Sequence, residues 1–314
     1  MNDRVSINEC FARDGLQHES AFVPTAKKLA VLASFTGAGF RRIEATSYSH
    51  PKQVPAFTDA SELLSALPRR EGISFKATCP NQKAVQRALA DAEAGYGADE
   101  ISLLTSASNS HSQVNLRASR LEQWQKVEEM AAIAAGNFTL VGVVSVAFGC
   151  PFEGAIDPQI VIDDVARFRD LGAGYVTIGD TTGLADPAAA KRLFAELVPA
   201  FPELTIVAHF HDTRGLGIAN IMAAYEAGCR SFDSAMGGVG GHPNMIHYGS
   251  GSTGNVATED TVNLFDSLGV DTGLDLDAVM EASAECESIL GRTLLSKTAR
   301  AGLANTILRE ADVA

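Results

Sequence analysis

The 314-residue chain is short of basic residues: 25 Lys and Arg stand against 38 Asp and Glu, a formal net charge of −13. So acidic a protein repels nucleic acid and anionic lipid, so an anionic substrate has to be met by locally placed cations. Long hydrophobic runs are missing too. None approaches the ~18 unbroken apolar residues that a membrane-spanning helix needs. No nucleic-acid and no membrane partner is therefore expected. Cysteine is scattered, and Cys10, Cys79, Cys150, Cys229 and Cys286 form no CxxC pair, which speaks against structural zinc and dithiol redox chemistry. Reduced thiols in a cytosol fit that pattern. The opening, MNDRVSINEC, lacks the apolar stretch of a secretory signal, so a cytoplasmic protein intact from its first residues is expected. Linkers and low-complexity segments are also absent.

What is present is a regular alternation. Short apolar, β-branched runs predict eight strands, at 5–9, 41–45, 73–79, 99–104, 138–147, 174–180, 204–211 and 230–236. Amphipathic stretches between them predict helices over 24–39, 82–97, 121–136, 157–174, 186–198 and 217–228. Several of these end in Gly, and Asp157-Pro158 and Asp186-Pro187 read as an N-cap followed by Pro at the first helical position. Eight strand–helix units without a linker point to a (β/α)8 TIM barrel with a short C-terminal helical extension, and not to a doubly wound sheet. The expected division is a barrel over 1–271 and an extension over 272–314 packed on it.

In such a barrel the chemistry belongs where strands run into the following loops. Polar residues gather there: Arg13, Asp14 and Gln17 after the first strand, Glu44, Thr46 and Ser47 at the second, Asp180 at the sixth, His209 and His211 at the seventh. His209-Phe210-His211 places two imidazoles on one face of a strand. They read equally as half of a metal site and as a hydrogen-bonded polar pair. Asp14, Glu44 and Asn255 add oxygen donors from neighbouring loops, a mixture that suits Mg2+ or Mn2+ better than a closed thiolate site. Asp14 and Asn255 beside glycines also read as turn residues. Arg13 reads as an ion-pair partner of Asp14 or Glu44, or as the holder of an oxyanion. Asp180 reads as a helix cap or as an acid/base. The stretch GGVGGHPNMIHYGSGSTG (237–254) is not a GxxxxGK[ST] phosphate loop, and it is expected to be a lid over the substrate, with His242 within it.

Together RDGLQ, IEATSYSHPK, GCPFEG, GDTTG, HFHDTRG and GNVATED, in this order over about 5–300, resemble the hydroxymethylglutaryl-CoA lyase family. That resemblance implies a divalent-metal enzyme, often a homodimer, that cleaves a 3-hydroxy-3-substituted acyl-CoA to acetyl-CoA and a keto compound. Carried over residue by residue, Asp14, His209, His211 and Asn255 fall on metal ligands. Arg13 and Asp180 fall on catalytic residues, Asp180 or His209 is placed as the base, and Gln17, Glu44, Ser47, Asn115 and Glu259 fall on substrate-binding or supporting positions. His50 and Lys52 are candidate contacts for the CoA nucleotide.

Two departures stand out. Where the family has a loop cysteine that delivers the last proton, this chain has His242, in a longer loop; the role passes to His242, moves to His247 or is lost. Where the family commonly has Arg-Gly-Tyr on the fifth strand, this chain has Val141-Gly142-Val143, which predicts an acyl group more apolar than hydroxymethylglutaryl, or one whose carboxylate sits at the metal. Other activities of the same barrel group compatible with these motifs are a keto-acid aldolase, a Claisen-condensing enzyme and a metal-binding homologue without catalysis.

Overall fold

The computed structural model describes residues 3–241 and 254–311. Its strands and helices alternate as β1 (Ser6–Glu9), α1 (Thr25–Gly37), β2 (Arg42–Ser47), α2 (Ala60–Ser65), β3 (Ser74–Thr78), α3 (Gln82–Glu93) and β4 (Glu100–Ser106). Two helices follow, α4 (Asn109–Leu116) and α5 (Arg120–Ala134), before β5 (Thr139–Ser145), α6 (Pro158–Asp170), β6 (Tyr175–Asp180) and α7 (Pro187–Ala200). The round closes with β7 (Thr205–Phe210), α8 (Gly217–Glu226) and β8 (Ser231–Ser234). Beyond it lie α9 (Thr258–Ser267), α10 (Leu276–Leu290), α11 (Thr298–Ala301) and α12 (Ala304–Ala311).

All neighbouring strands are parallel, and β8 pairs with β1 through Ser6–Ser231 to Glu9–Ser234, so the sheet is a closed eight-stranded barrel. Each of the eight expected strands is there. Differences are local: β8 stops at Ser234 and not at 236, because Met236–Gly238 turns and Gly237 takes φ 65°. Helices α2 and α4 were not among those expected; α2 is the short crossover helix between β2 and β3, and α4 is an additional helix between β4 and β5. The predicted caps form as expected: Asp157 accepts from Gln159 N, and Asp186 from Ala188 and Ala189 N, each with Pro next in line. Among the described residues no helix is long and apolar enough to cross a membrane.

The oily core lies between the sheet and the helices. Trp124 and Phe168 meet at 4.8 Å between α5, α6 and β5, and Phe194 packs on Phe210 at 6.1 Å under α7. Inside the barrel the chemistry is different. Arg42 on β2 grips Glu100 on β4 through Nε and Nη2 (3.0 and 2.6 Å) and stacks on Tyr175 at 3.7 Å, contacts that cross the interior because β3 separates the two strands. Above that pair stand Asn8, Glu44, Lys76 and Asp233, all buried. Buried charges persist only when paired, and their presence in the centre marks the interior as a site rather than as filler.

Candidate active site

Strand β1 ends in a wide helical turn, Phe11–Gly15, because the Cys10 carbonyl collects the amides of Arg13, Asp14 and Gly15 (3.2, 2.8 and 3.2 Å). The turn aims Arg13 and Asp14 over the barrel mouth. Arg13 bridges two carboxylates, Nη1 to Asp14 Oδ1 at 2.7 Å and Nη2 to Glu44 Oε2 at 2.8 Å. Burial opposes its charge, yet Glu44 and Asp14 outweigh it and hold the guanidinium firmly cationic. The register of β2 against β3 slips between Glu44 and Thr46, a bulge beside the site of the kind that re-aims a side chain. Glu44 Oε1 accepts from Thr78 Oγ1 at 2.8 Å and lies 3.7 Å from Lys76 Nζ.

The two histidines of β7 face the same space. Their Nε2 atoms stand 3.2 Å apart, and His209 Nδ1 faces Asp233 Oδ2 at 3.3 Å. An imidazole that donates Nδ1–H to a carboxylate presents its Nε2 lone pair to a metal. His211 Nε2 lies 3.8 Å from Asp14 Oδ2, and donor atoms of Asp14, His209 and His211 all fall within 4.8 Å of one another. Burial works to raise the Asp14 carboxyl, but Arg13 and the histidines overcome it and hold Asp14 well below the ordinary range, so it is anionic.

Asn255 completes the group. The segment 254–257 is clipped between the ends of β7 and β8: Asp212 N donates to Gly254 O at 2.8 Å, Val256 N to Phe210 O at 3.3 Å, and Ala235 N to Val256 O at 3.1 Å. Asn255 thereby pairs through its backbone with His211. Its Nδ2 donates to Asp14 Oδ2 (2.7 Å) and Val239 O (2.9 Å), which leaves Oδ1 buried with no partner among the described residues. A buried orphan oxygen is costly unless something cationic meets it.

The residues fit a divalent cation on two counts. Asp14, His209 and His211 offer one carboxylate and two imidazole donors, with the orphan Asn255 oxygen beside them. The surrounding carboxylates Asp14, Glu44 and Asp233 outnumber the cations Arg13 and Lys76, an excess that a metal ion offsets. A second cluster, Cys10 with His209 and Asp233, is a poorer candidate. Burial pushes the Cys10 thiol well above its usual range, so it is not a thiolate.

Glycines are needed here for close approach. A Cβ on Gly240 would stand 2.4 Å from Asn255 Nδ2 and 3.2 Å from Asp14 Oδ2, and Gly240 has φ 122°. Any side chain there displaces the Asn255 amide. His242 and His247 lie outside the described residues, as does most of the stretch expected to be a lid.

The other expected site residues divide. Gln17, Asn115 and His50 line a cavity of about 670 Å3 that opens at the C-terminal face, together with Arg13, Asp14 and both histidines. Lys52 is not among its lining residues. Cationic Lys83, Arg117 and Lys126 are, near the mouth. Ser47 does not reach it: its hydroxyl donates to the Thr78 carbonyl and pairs with Ser49 Oγ at 2.8 Å, and Ser49 lines the wall instead. Asp180 stands between two lining residues, Gly179 and Thr181. Its Oδ1 accepts the amides of Leu184 and Ala185 (2.8 and 3.1 Å) and Oδ2 is buried without a partner among the described residues. Burial pushes this carboxyl up to about 6. Glu44 serves Arg13 and Thr78. Glu259 on α9 accepts the Gly237 amide through both oxygens and the Ser283 hydroxyl, so it holds the start of the glycine-rich stretch.

Sequence patterns missed the charged floor. Lys76, Thr78, Thr177 and Asp233 line the cavity, and they sit at alternate strand positions that on an open sheet face solvent. Val141, one of the two departures on β5, is fully buried and does not line the cavity, whereas Val143 does. The wall is therefore not simply apolar, because Lys76 supplies a cation from β3.

Glu9 was also missed. Fully buried, it accepts Phe11 N (2.8 Å), Met236 N (3.1 Å) and Thr258 Oγ1 (2.7 Å), and so ties the Arg13–Asp14 turn to the glycine-rich stretch. Burial raises its pKa from 4.5 to about 8. The folded protein thus keeps this proton across a window in which the unfolded chain has lost it, and stability falls as pH rises from about 4.5 to about 8. Glu9→Gln removes that slope. The melting temperature of the variant relative to wild type is expected to climb between pH 5 and pH 8, by the equivalent of a few kcal/mol; a flat difference in calorimetry over that range would mean Glu9 is ionised in the fold.

Comparison with known proteins agrees with this geometry. The HMGL-like family model matches residues 4–285. The chain is 35% identical over 304 residues to the hydroxymethylglutaryl-CoA lyase of Pseudomonas mevalonii, covering 96% of each, and 35% identical over 299 residues to the mitochondrial enzyme of Rattus norvegicus, covering 95% of this chain and 89% of that one. Among solved structures, an HMG-CoA lyase from Acinetobacter baumannii in complex with coenzyme A and 3-methylmalate superposes with a TM-score of 0.89 at 38% identity, covering 96% of both chains. The carboxyl transferase domain of Rhizobium etli pyruvate carboxylase, at 19% identity and a TM-score of 0.69 over 91% of this chain and 47% of that one, shares the fold alone. Barrel, charged interior and family model converge: the chain belongs to the HMGL-like family.

Proposed function

We propose that this protein is a divalent-metal-dependent carbon–carbon lyase that cleaves a 3-hydroxy-3-substituted acyl-CoA of the hydroxymethylglutaryl type to acetyl-CoA and a keto compound. The observation that carries the proposal is the meeting of Asp14, His209, His211 and the orphan Asn255 oxygen at the mouth of a cavity beside Arg13. Family relatives named as hydroxymethylglutaryl-CoA lyases support the substrate class.

Those four residues would hold Mg2+ or Mn2+, which when bound supplies Lewis acidity at the substrate oxygens. The protein does the rest. Asp180 accepts the proton of the tertiary hydroxyl: it has an open oxygen, and a pKa raised to about 6 matches a base near neutral pH. His209 is a weaker choice, since its Nδ1 faces Asp233 and its Nε2 faces His211. As the O–H pair becomes the new carbonyl, the C2–C3 pair moves into the thioester as an enolate, whose oxygen Arg13 stabilises. His242 returns a proton to the enolate carbon, an assignment that rests on sequence, since imidazole donates near neutral pH. Gln17 and Asn115 orient the acyl chain, and the phosphates of CoA meet His50, Lys83, Arg117 and Lys126 at the mouth. The same reading extends to a cytoplasmic homodimer; all five cysteines are buried and unpaired, as suits a reducing compartment.

Purified protein with Mg2+ or Mn2+ and hydroxymethylglutaryl-CoA or related 3-hydroxyacyl-CoAs is expected to release acetyl-CoA, detected by mass. EDTA should abolish the product and added metal restore it. Pyruvate from a hydroxy-keto acid, with no acetyl-CoA from any thioester, would replace the lyase with an aldolase.

A further inference from the structure

Lys76 lies deep in the cavity, on β3, where it is 5% exposed. Its closest carboxylate oxygen, Glu44 Oε1, is 3.7 Å away, already accepts from Thr78, and belongs to a group whose other oxygen is taken by Arg13. Among the described residues the ammonium makes no hydrogen bond. Burial disfavours its charge, but Glu44 and Asp233 outweigh that and keep it protonated. Apart from the 3.7 Å ion pair with Glu44, its three N–H donors have no acceptor among the described residues.

A second donor waits in the same space. Thr177 Oγ1 on β6 lines the cavity, buried and without a partner among the described residues. Leu104 and Val143 form apolar wall nearby. Buried donors left unsatisfied in a polar cavity are costly, and an acceptor brought by the ligand relieves them. The charges run in alternation from Lys76 through Glu44 and Arg13 to Asp14, and Lys76 also acts on Asp233, the partner of His209.

From this arrangement we propose that Lys76, helped by the Thr177 hydroxyl, is the specificity residue that receives the distal carboxylate of the acyl chain. The inference rests on the lyase reading and narrows its substrate. It departs from both expectations drawn from Val141 and Val143, a more apolar acyl group and a carboxylate at the metal. Lys76 is a specificity residue that the β5 departure alone does not reveal.

The test compares wild type, Lys76→Met and Lys76→Arg on 3-hydroxy-3-methylglutaryl-CoA and on its terminal amide, which differ only at the distal carboxylate. For the carboxylate substrate, Lys76→Met is expected to lower kcat/KM by about tenfold to a hundredfold, the worth of one charge-assisted hydrogen bond. The amide should change by less than about threefold, and Lys76→Arg should keep the carboxylate preference. An equal loss on both thioesters would make Lys76 merely structural and overturn the assignment. Calorimetric binding of glutarate in EDTA gives a readout free of turnover and metal: wild type binds it about tenfold more tightly than Lys76→Met if the assignment holds, and equally if it does not. Should wild type release acetyl-CoA from neither thioester, the lyase reading fails, and glutarate binding still decides the role of Lys76. Thermal melts of each variant establish that it is folded.

Discussion

Replacing Arg13 with glutamine is expected to lower kcat for acetyl-CoA release by about a thousandfold while the divalent cation stays bound. Arg13 is the cationic donor at the cavity mouth that sits beside the ligand group without belonging to it. Its position is set by two carboxylates gripping opposite nitrogens, Asp14 at 2.7 Å and Glu44 at 2.8 Å, while Nε is buried with no partner among the described residues. A guanidinium fixed before the reaction needs no reorganisation when charge develops on the thioester oxygen, and this is where most of its effect arises. Glutamine keeps the volume but loses the charge. Glu44 retains Thr78 and Lys76 as neighbours, so the fold survives. Arg13→Lys should fare little better, because one ammonium cannot span both carboxylates as a planar fork does. Steady-state kinetics beside metal stoichiometry checks this; a kcat within tenfold of wild type would remove Arg13 from the chemistry.

For stability, the largest single effect is expected at Gly142. A Cβ built there lies 2.3, 2.5 and 2.7 Å from three carbons of the Phe168 ring. The ring has nowhere to go. It is 1% exposed and packs at 4.8 Å on Trp124, which is itself pinned by an Nε1–H bond to Asp164 Oδ1 (3.0 Å) and by Arg167 stacked at 4.0 Å. Gly142→Ala therefore overpacks the seam between β5 and α6, at a cost of about 3 kcal/mol. In differential scanning calorimetry the transition should drop by roughly 4–6 °C. A drop under about 2 °C would show that α6 slides outward without loss.

Both effects illustrate what was legible in the amino-acid order. Parallel barrel strands are buried on their outer face by helices, so their apolar runs stood out, and the Asp-Pro pairs at 157–158 and 186–187 announced helix starts with their own capping chemistry. Asp14, His209 and His211 were visible as candidate ligands because loop ends and an HxH spacing bring donor groups together. Asn255 was legible chiefly through family resemblance, since nothing local foretells that its segment returns to pair with His211. The inner face of the barrel was not legible. Lys76 and Asp233 follow the same alternation that on an open sheet means water, and only closure of the sheet turns that face into a cavity floor. Glu9 is hidden for a related reason: its three partners are backbone and hydroxyl groups from three separate segments, a pattern without a sequence signature. Ser47 shows the converse, a polar residue at a strand end that serves the backbone.

The clip that holds residues 254–257 against β7 and β8 has an evolutionary meaning. Both ends of the glycine-rich stretch are anchored independently of what lies between them: Gly237 by Glu259 on one side, and Gly254 by Asp212 on the other. Asn255 is registered by that second anchor, so its place beside Asp14 is set by residues outside the interval from 242 to 253. Closing a longer loop between fixed ends costs only a slowly growing entropy, about 0.6 kcal/mol for each doubling. Changes of length or residue type in that interval are therefore expected to leave Asn255 in place beside Asp14 and His211.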